Sequence, residues 1–272
     1  MPVAYDWIID ALEETWAHTA RTLLGRSERD FDALTACPGW SVRDVINHIT
    51  GTELFLMGAR VPDITGPWPE HVKNALGETN EAFVVSRRHL SVEEVLDDFR
   101  NATGATLATL RKISPEDWLN DSWSPEGKRP LYQLQESRVL DSWIHLQDIH
   151  DALLEPTDDH GLGEEIVVNR FEAMLPYVWA KLVAAPEGSL LRVNLAGRLG
   201  RSIQVQVRNG RGEAVVALKD VPRVELSTAV ALFWRRMAGR INAEAFIGAS
   251  ATDVRGDREL AQRLAAALNV LP

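Results

Sequence analysis

The chain has 272 residues, of which 45% are hydrophobic and 25% are charged, and its formal net charge is −10. These values are typical of globular protein with one large domain or two ordinary ones, and they argue against disorder. A single cysteine excludes an internal disulfide framework and a metal site built from several cysteines, and no apolar run is long enough to cross a bilayer.

Charge is distributed unevenly along the chain. Residues 1–160 contain 28 acidic and 14 basic residues, whereas residues 161–272 contain 11 acidic and 15 basic residues, 13 of them Arg. This contrast favours two domains. The arginines of the second part suit a small anionic ligand, although most of them are typical of a solvated surface. Nucleic acid is the weaker interpretation because the whole chain is acidic. The N-terminal segment carries early acids and no basic stretch, so we expect no secretory signal and a cytoplasmic location.

The first part of the chain is predicted to be helical. Apolar residues at helical spacing predict helices over residues 4–25, 41–59, 70–89, 91–112 and 130–153. Two of these helices begin with patterns that resemble capping boxes, Ser41 with Asp44 and Ser91 with Glu94, and Pro130 is placed as the first residue of the last helix. Long helices in this arrangement predict a helix bundle over residues 1–155.

The second part is predicted to be a smaller α+β domain over residues 162–272, after a linker at 154–163. A helix is expected at 164–184. Alternating or apolar runs between turns then predict strands at 190–195, 202–207, 214–218 and 252–255. Ser227 is expected to cap a helix at 228–238, and Asp257 is expected to open the final helix.

One predicted helix carries an unusual polar stripe. Arg138, Asp141, His145 and Asp148 are spaced by three and four residues and therefore share one face of a helix that is otherwise largely apolar. Buried charges of this kind need partners or a ligand. Asp141 and His145 can both reach one divalent ion, with Asp148 or Arg138 supporting them.

A metal site in a bundle core also needs a ligand from a second helix, and His48 is the best candidate. Two His and one carboxylate suit a catalytic divalent ion. These ligand types do not distinguish between zinc, iron, nickel and manganese. An alternative without a metal is also open. Asp141 and His145 would then share one helix face by chance, and His48 would be an ordinary histidine packed in the core. Cys37 lies in the turn before a helix N-terminus. It is either a structural cysteine or a thiol that the helix N-terminus activates. We interpret His18, His71, His89 and His160 as surface residues.

Two motifs carry a resemblance to a known family. CPGWSVRDVINHITGTE at 37–53 resembles the opening of the DinB-like, mycothiol-dependent maleylpyruvate isomerase family, in which a Pro-Gly-Trp turn precedes a helix with a metal-binding His, here His48. The family's second signature matches VLDSWIHLQDIHDAL through Asp141, His145 and Asp148, although its first acid is often Glu. The C-terminal FWRRMAGRINAEAFIG resembles the family's second, sterol-carrier-like domain, so the resemblance extends over nearly the whole chain.

The resemblance implies a fold and a chemistry. The fold is a DinB-like four-helix bundle followed by a sterol-carrier-like α+β domain. His48, Asp141 and His145 would bind one divalent metal, usually zinc, with nickel, iron or manganese as alternatives, and would leave a position open. Mycothiol would be the thiol cosubstrate in an isomerase or an S-transferase acting on a small electrophile.

Further roles are assigned as expectations. The candidate catalytic residues are Arg240, Arg255 and Asp148. The two arginines would bind an anionic substrate, and Arg240 is also a candidate for binding the thiol. Asp148 would orient His145 or act with Arg138. We expect a monomer or homodimer with no nucleic-acid or membrane partner. Two other functions stay open: a metal-dependent hydrolase in which water attacks, and a non-catalytic module that binds a small ligand.

Overall fold

The computed structural model describes residues 5–124, 127–157, 160–216 and 220–271. The chain divides into two compact units, Met1–Gly163 and Glu164–Pro272. The first unit is built from helices and the second contains a five-stranded sheet, which confirms the predicted fold class. Within the described ranges, no helix is both long and apolar enough to span a membrane.

Five long helices and two short elements make up most of the first unit. They are α1 (Asp6–Leu23), α2 (Glu28–Phe31), α3 (Val42–Leu56), α4 (Ala75–Arg87), α5 (Val92–Leu110), the strand pair β1 (Asp121–Ser122) and β2 (Arg129–Pro130), and α6 (Leu131–Ala152). Helix α3 packs against α4, α5 and α6, and α1 packs against α5 and α6. The apolar faces of these helices form the core, in which Trp16 of α1 donates a hydrogen bond from Nε1 to Ser142 Oγ of α6 at 2.9 Å.

Local capping sets the helix boundaries. Ser41 and Ser91 both form the predicted capping boxes, each accepting a hydrogen bond from the backbone N–H three residues later. The helix predicted from residue 70 begins only at Ala75, because Asn74 caps it by accepting from Gly77 N–H at 2.9 Å. Pro130 is not the first helical residue as predicted. Its backbone is extended and pairs with Asp121, so α6 begins at Leu131.

The second unit contains one mixed sheet. Its elements are α7 (Gly161–Tyr177) continued by the π-helical turn Val178–Leu182, β3 (Leu190–Ala196), β4 (Arg201–Arg208), β5 (Arg211–Ala214), β6 (Val224–Ala229), α8 (Val230–Met237), α9 (Ala243–Gly248), β7 (Thr252–Gly256) and α10 (Arg258–Ala267). The strand order is β5-β4-β3-β6-β7, in which only the β3–β6 pair is parallel among the described strands. Val224, Leu226 and Thr228 are buried alternately along β6 and face the core.

The prediction that Ser227 caps a helix is wrong. Ser227 lies inside β6 opposite Asn194 of β3 and accepts a hydrogen bond from Asn194 Nδ2 at 3.3 Å, so α8 begins three residues later. Pairing with β3 therefore overrides the local capping pattern. The strand predicted at 214–218 is also displaced. β5 ends at Ala214, and residues 217 and 218 lie outside the described residues. Asp257 opens α10 as predicted, accepting from Leu260 N–H at 3.2 Å.

Candidate metal centre

Helices α3 and α6 bring His48, Asp141 and His145 together, as the sequence predicts. Nε2 of His48 lies 3.4 Å from Oδ1 and 3.3 Å from Oδ2 of Asp141. Nε2 of His145 lies 3.5 Å from the same Oδ1. The ligand atoms of the three residues all lie within 4.8 Å of one another. Both histidines are buried, whereas the Asp141 side chain is 29% exposed.

Helix geometry explains this convergence. Asp141 and His145 are one turn apart on α6, so their side chains point in the same direction. His48 lies in the middle of α3, the helix that packs against this part of α6. The two imidazole rings meet edge to face, with centroids 5.1 Å apart and planes inclined by 75°. The cluster is therefore built on two rigid elements rather than on a loop.

Burial and neighbouring charges shift the pKa values of all three residues of the cluster. Burial lowers the pKa of His48 below its usual value, and attraction to Asp141 only partly offsets this effect. Burial also disfavours the charged form of His145, but attraction to Asp141 and hydrogen bonds to its neighbours raise its pKa well above the usual range. Burial alone would raise the pKa of Asp141, but His48, Arg138 and His145 hold it well below its usual value. A negative Asp141 therefore stands between two imidazoles, only one of which holds a proton easily.

His145 is held in place by Asp148. Oδ2 of Asp148 lies 3.0 Å from Nδ1 of His145, and Asp148 is buried. A proton on Nδ1 satisfies this carboxylate and leaves Nε2 directed toward Asp141. This contact corresponds to the first of the two predicted roles of Asp148. Arg138 pairs with Glu53 and Asp141 instead.

Glu53 is a site residue that sequence reasoning missed. It is 1% exposed, and its Oε1 accepts from Nε and Nη2 of Arg138 at 2.9 and 2.6 Å. Its Oε2 accepts from Thr106 Oγ1 at 3.0 Å. Nη1 of Arg138 then donates to Oδ2 of Asp141 at 2.9 Å. The signal available in the sequence was an acidic residue on a largely apolar helix, five positions after His48.

Trp40 of the Cys-Pro-Gly-Trp turn packs against the cluster. Its ring centroid lies 5.0 Å from that of His48, and its Nε1 donates to Oε2 of the fully buried Glu81 at 2.9 Å. His71 and Arg88 also bond to Glu81. His71, which we expected at the surface, is therefore partly buried beside an acidic partner. Nδ1 of His48 is buried and has no hydrogen-bond partner among the residues described. The His48 ring is therefore held by packing on its Nδ1 side and by the contact with Asp141 on its Nε2 side.

Cys37 lies beside the same cluster. Its Sγ is 3.5 Å from Oδ2 of Asp148 and 3.9 Å from Nδ1 of His145. Cys37, His145 and Asp148 thus form a second group of ligand types that shares His145 with the first. The first group offers Nε2 of His145, whereas the second would use Nδ1, which the contact with Asp148 already occupies.

The predicted arginines lie in the second unit. Nη1 of Arg240 donates to the carbonyl of Ala238 at 2.8 Å. Nε of Arg255 donates to Oδ2 of Asp253 at 2.7 Å, and its side chain is 76% exposed. Their roles in binding a substrate or a thiol stay predictions.

The residues of the first group fit a divalent metal. Imidazole nitrogen and carboxylate oxygen are ligands of zinc, with bonds of about 2.0–2.1 Å, and a tetrahedral arrangement places such ligand atoms about 3.4 Å apart. The separations of 3.3–3.5 Å between Asp141 and the two histidines match that spacing. The contact between His145 and Asp148 also matches the usual support of a metal-bound histidine by a carboxylate.

Comparisons with known proteins agree with the fold and the motifs. Residues 7–150 match the family described as mycothiol maleylpyruvate isomerase N-terminal domain. The fold resembles the crystal structure of a mycothiol-dependent maleylpyruvate isomerase, with a TM-score of 0.59, 16% identity and 93% of each chain covered. It also resembles a mutant of such an isomerase in which one histidine is replaced by alanine, with a TM-score of 0.59, 15% identity and 93% of each chain covered. Comparison with curated proteins gives no match.

These similarities confirm the resemblance inferred from the motifs. The matched segment contains more than half of the chain, including His48, Asp141, His145 and Asp148. The chain belongs to the mycothiol maleylpyruvate isomerase N-terminal domain family, a family of enzymes.

Proposed function

We propose that this chain is a metal-dependent, mycothiol-dependent isomerase or thiol S-transferase that acts on a small, electrophilic and anionic substrate. The observation that carries the proposal is the convergence of His48, Asp141 and His145 at separations that suit one divalent cation. Membership of the family supports the use of mycothiol.

The chain's own residues would prepare the site in distinct ways. His48 and His145 would offer Nε2, and Asp141 would offer a carboxylate oxygen. Asp148 would keep the proton of His145 on Nδ1, so that Nε2 stays available. When bound, a divalent cation lowers the pKa of a coordinated thiol and supplies thiolate at neutral pH.

The donor number supports an open site. Among the residues that the structure describes, the group around Asp141 has three donors. Structural zinc sites have four protein ligands, whereas catalytic sites keep a position for water or substrate. Asp141 is also the most exposed of the three, which gives a small molecule a side from which to approach.

The thiol chemistry follows from the substrate class. A thiolate adds to one carbon of an activated double bond, and the π electrons move onto the conjugated carbonyl to give an enolate. Rotation about the former double bond follows, and the enolate then restores the double bond as the thiolate leaves from the same carbon. In an S-transfer the adduct is instead the product, either because the enolate takes up a proton or because the electrophile loses its own leaving group. We propose that Arg240 or Arg255 binds the anionic part of the substrate, because guanidinium pairs well with carboxylate.

Elemental analysis of the purified protein tests the site. We expect about one metal ion per chain in the wild type and its loss in both His48→Ala and His145→Ala. His89→Ala, at an exposed position, is the matched control and should retain the metal. An absence of metal from the wild type after incubation with zinc or nickel would contradict the proposal and favour a ligand-binding module.

A second measurement separates thiol transfer from hydrolysis. The metal-loaded protein is incubated with maleylpyruvate, or with another small electrophilic carboxylate, with and without mycothiol. The proposal expects turnover only when the thiol is present. Turnover without any thiol would favour the metal-dependent hydrolase instead.

A further inference from the structure

We propose that Glu53 and Arg138 are positioning residues that hold Asp141 so that Oδ1 is its single ligand atom for the cation. This inference rests on the metal site of the proposed function. It gives a role to Glu53, to which the sequence analysis assigned none, and a specific one to Arg138. The observation behind it is a continuous chain of hydrogen bonds from α5 through α3 to α6 that ends on the other oxygen of Asp141.

The chain begins in the core of the bundle. Thr106 of α5 donates to Oε2 of Glu53, whose side chain is almost completely buried. Glu53 in turn accepts two hydrogen bonds from Arg138 on its Oε1. A buried carboxylate with three such bonds and a buried guanidinium have little freedom, because any rotation would leave a charge without a partner.

Arg138 transfers this rigidity to Asp141. Its Nη1 donates to Oδ2 at 2.9 Å. Nε2 of His145 approaches Oδ1 at 3.5 Å, and Nε2 of His48 lies about equally far from the two oxygens, 3.4 Å from Oδ1 and 3.3 Å from Oδ2. The guanidinium is planar, so the nitrogens bound to Glu53 fix the direction of Nη1 toward Asp141. Oδ2 is therefore occupied by a charged donor, and Oδ1 is the oxygen that both imidazoles share.

This arrangement suits the short side chain of Asp141. The aspartate side chain has a single methylene group, so its carboxylate must be held at the right place rather than reach for the cation. Arg138 lies one turn before Asp141 on α6 and holds it there. The positive charge of Arg138 is balanced by Glu53, so the site keeps the negative charge of Asp141 for the cation.

Titration with Co²⁺ tests the inference. Bound Co²⁺ absorbs visible light more strongly in four-coordinate than in six-coordinate sites, so its spectrum reports the coordination number. Arg138→Lys keeps the positive charge but loses the planar guanidinium that bonds to Glu53 and Asp141 together. Glu53→Gln keeps the shape of the side chain but loses its negative charge. We expect Co²⁺ affinity to fall about tenfold or more in each variant. We also expect weaker absorption in Arg138→Lys, because Asp141 can then offer both oxygens.

Two further variants keep the test decisive. Glu53→Gln combined with Arg138→Met removes both charges, which preserves folding better than removing one, and should show the same loss of affinity. Arg43→Lys is the matched control. Arg43 is a buried arginine on α3 that pairs with Glu28 and Asp32, so this change should lower stability but leave the Co²⁺ spectrum unchanged.

The outcomes separate this inference from the proposed function. Wild-type affinity and spectrum in all three Glu53 and Arg138 variants would overturn the positioning role while leaving the metal site intact. Failure of the wild type to bind Co²⁺ would overturn the metal site itself, and the positioning role with it. Reduced affinity in these variants and weaker absorption in Arg138→Lys, with an unchanged spectrum in Arg43→Lys, would support the inference.

Discussion

Asp148 lies one turn beyond His145 on α6, and its Oδ2 is 3.0 Å from Nδ1 of that histidine. This contact fixes which nitrogen of His145 carries the proton when the ring is neutral. The nitrogen that faces Asp141 is then free to act as a ligand. The availability of Nε2 of His145 as a ligand atom thus depends on a residue that does not itself belong to the group around Asp141.

The first prediction concerns Asp148→Asn. An amide can donate to Nδ1 and thereby move the proton of His145 to Nε2, which would block the ligand position. We expect zinc affinity to fall about 10–100-fold, as for other partners of metal-bound histidines. Competition with a chromophoric chelator measures this change. Asp151→Asn, at an exposed position of the same helix, should retain wild-type affinity, and equal affinities in the two variants would contradict the prediction.

The second prediction concerns Trp40→Phe. Phenylalanine keeps an aromatic ring near His48 but removes the donor that bonds to the buried Glu81 at 2.9 Å. Loss of a hydrogen bond to a buried carboxylate costs about 1–3 kcal/mol of the free energy of unfolding. Urea denaturation monitored by circular dichroism measures this loss. Trp7→Phe, where the side chain is 41% exposed, should change stability by less than about 0.5 kcal/mol.

The sequence was most informative where function requires several residues on one helix. The spacing of Asp141, His145 and Asp148 is a property of α6 alone, so it could be read before the fold was known. His48 was a candidate because it lies on or beside the apolar stripe of its helix, and the family motif supported that choice. Nothing in α3 by itself indicates which helix packs beside it. The capping boxes at Ser41 and Ser91 were readable for the same local reason.

Contacts between residues far apart in the chain could not be predicted from the sequence. Glu53 meets Arg138, which is 85 positions away, and Glu81 meets Trp40 only because α4 packs against α3. At Ser227 the local pattern predicted a helix cap, but the residue lies in a strand paired with β3. In each case tertiary contact decides the outcome, and it leaves no fixed spacing along the chain.

The third prediction concerns the capping box of α3. Ser41 Oγ accepts from Asp44 N–H, and Asp44 Oδ2 accepts from Ser41 N–H at 3.2 Å. Ser41→Ala should therefore lower the free energy of unfolding by about 1 kcal/mol. Ser86→Ala, inside α4, is the comparison variant. Among the residues that the structure describes, its hydroxyl bonds to the carbonyl of Phe83 alone, so a change within about 0.5 kcal/mol is expected. A loss of similar size in both variants, measured by urea denaturation, would argue against the cap.

The fourth prediction concerns the contact between α3 and α4 at Gly51, which lies between His48 and Glu53. A Cβ at this position would lie 2.4 Å from Cβ of Phe83, which is buried in α4. Neither atom is the end of a flexible side chain, so the helices must move apart. Gly51→Ala should destabilise the protein by about 1–3 kcal/mol through overpacking.

Displacement of α3 would also move His48 and Glu53 relative to α6, so Gly51→Ala should bind zinc more weakly than the wild type. Gly104→Ala is the matched change, because Gly104 is an exposed position of α5 and nothing lies within 4 Å of its added Cβ. Alanine has the higher helix propensity, so this variant should gain about 0.5–1 kcal/mol and keep wild-type zinc affinity. Urea denaturation and zinc competition on both variants measure the two effects. Equal stability of the two variants would show that α3 and α4 are not in close contact at Gly51.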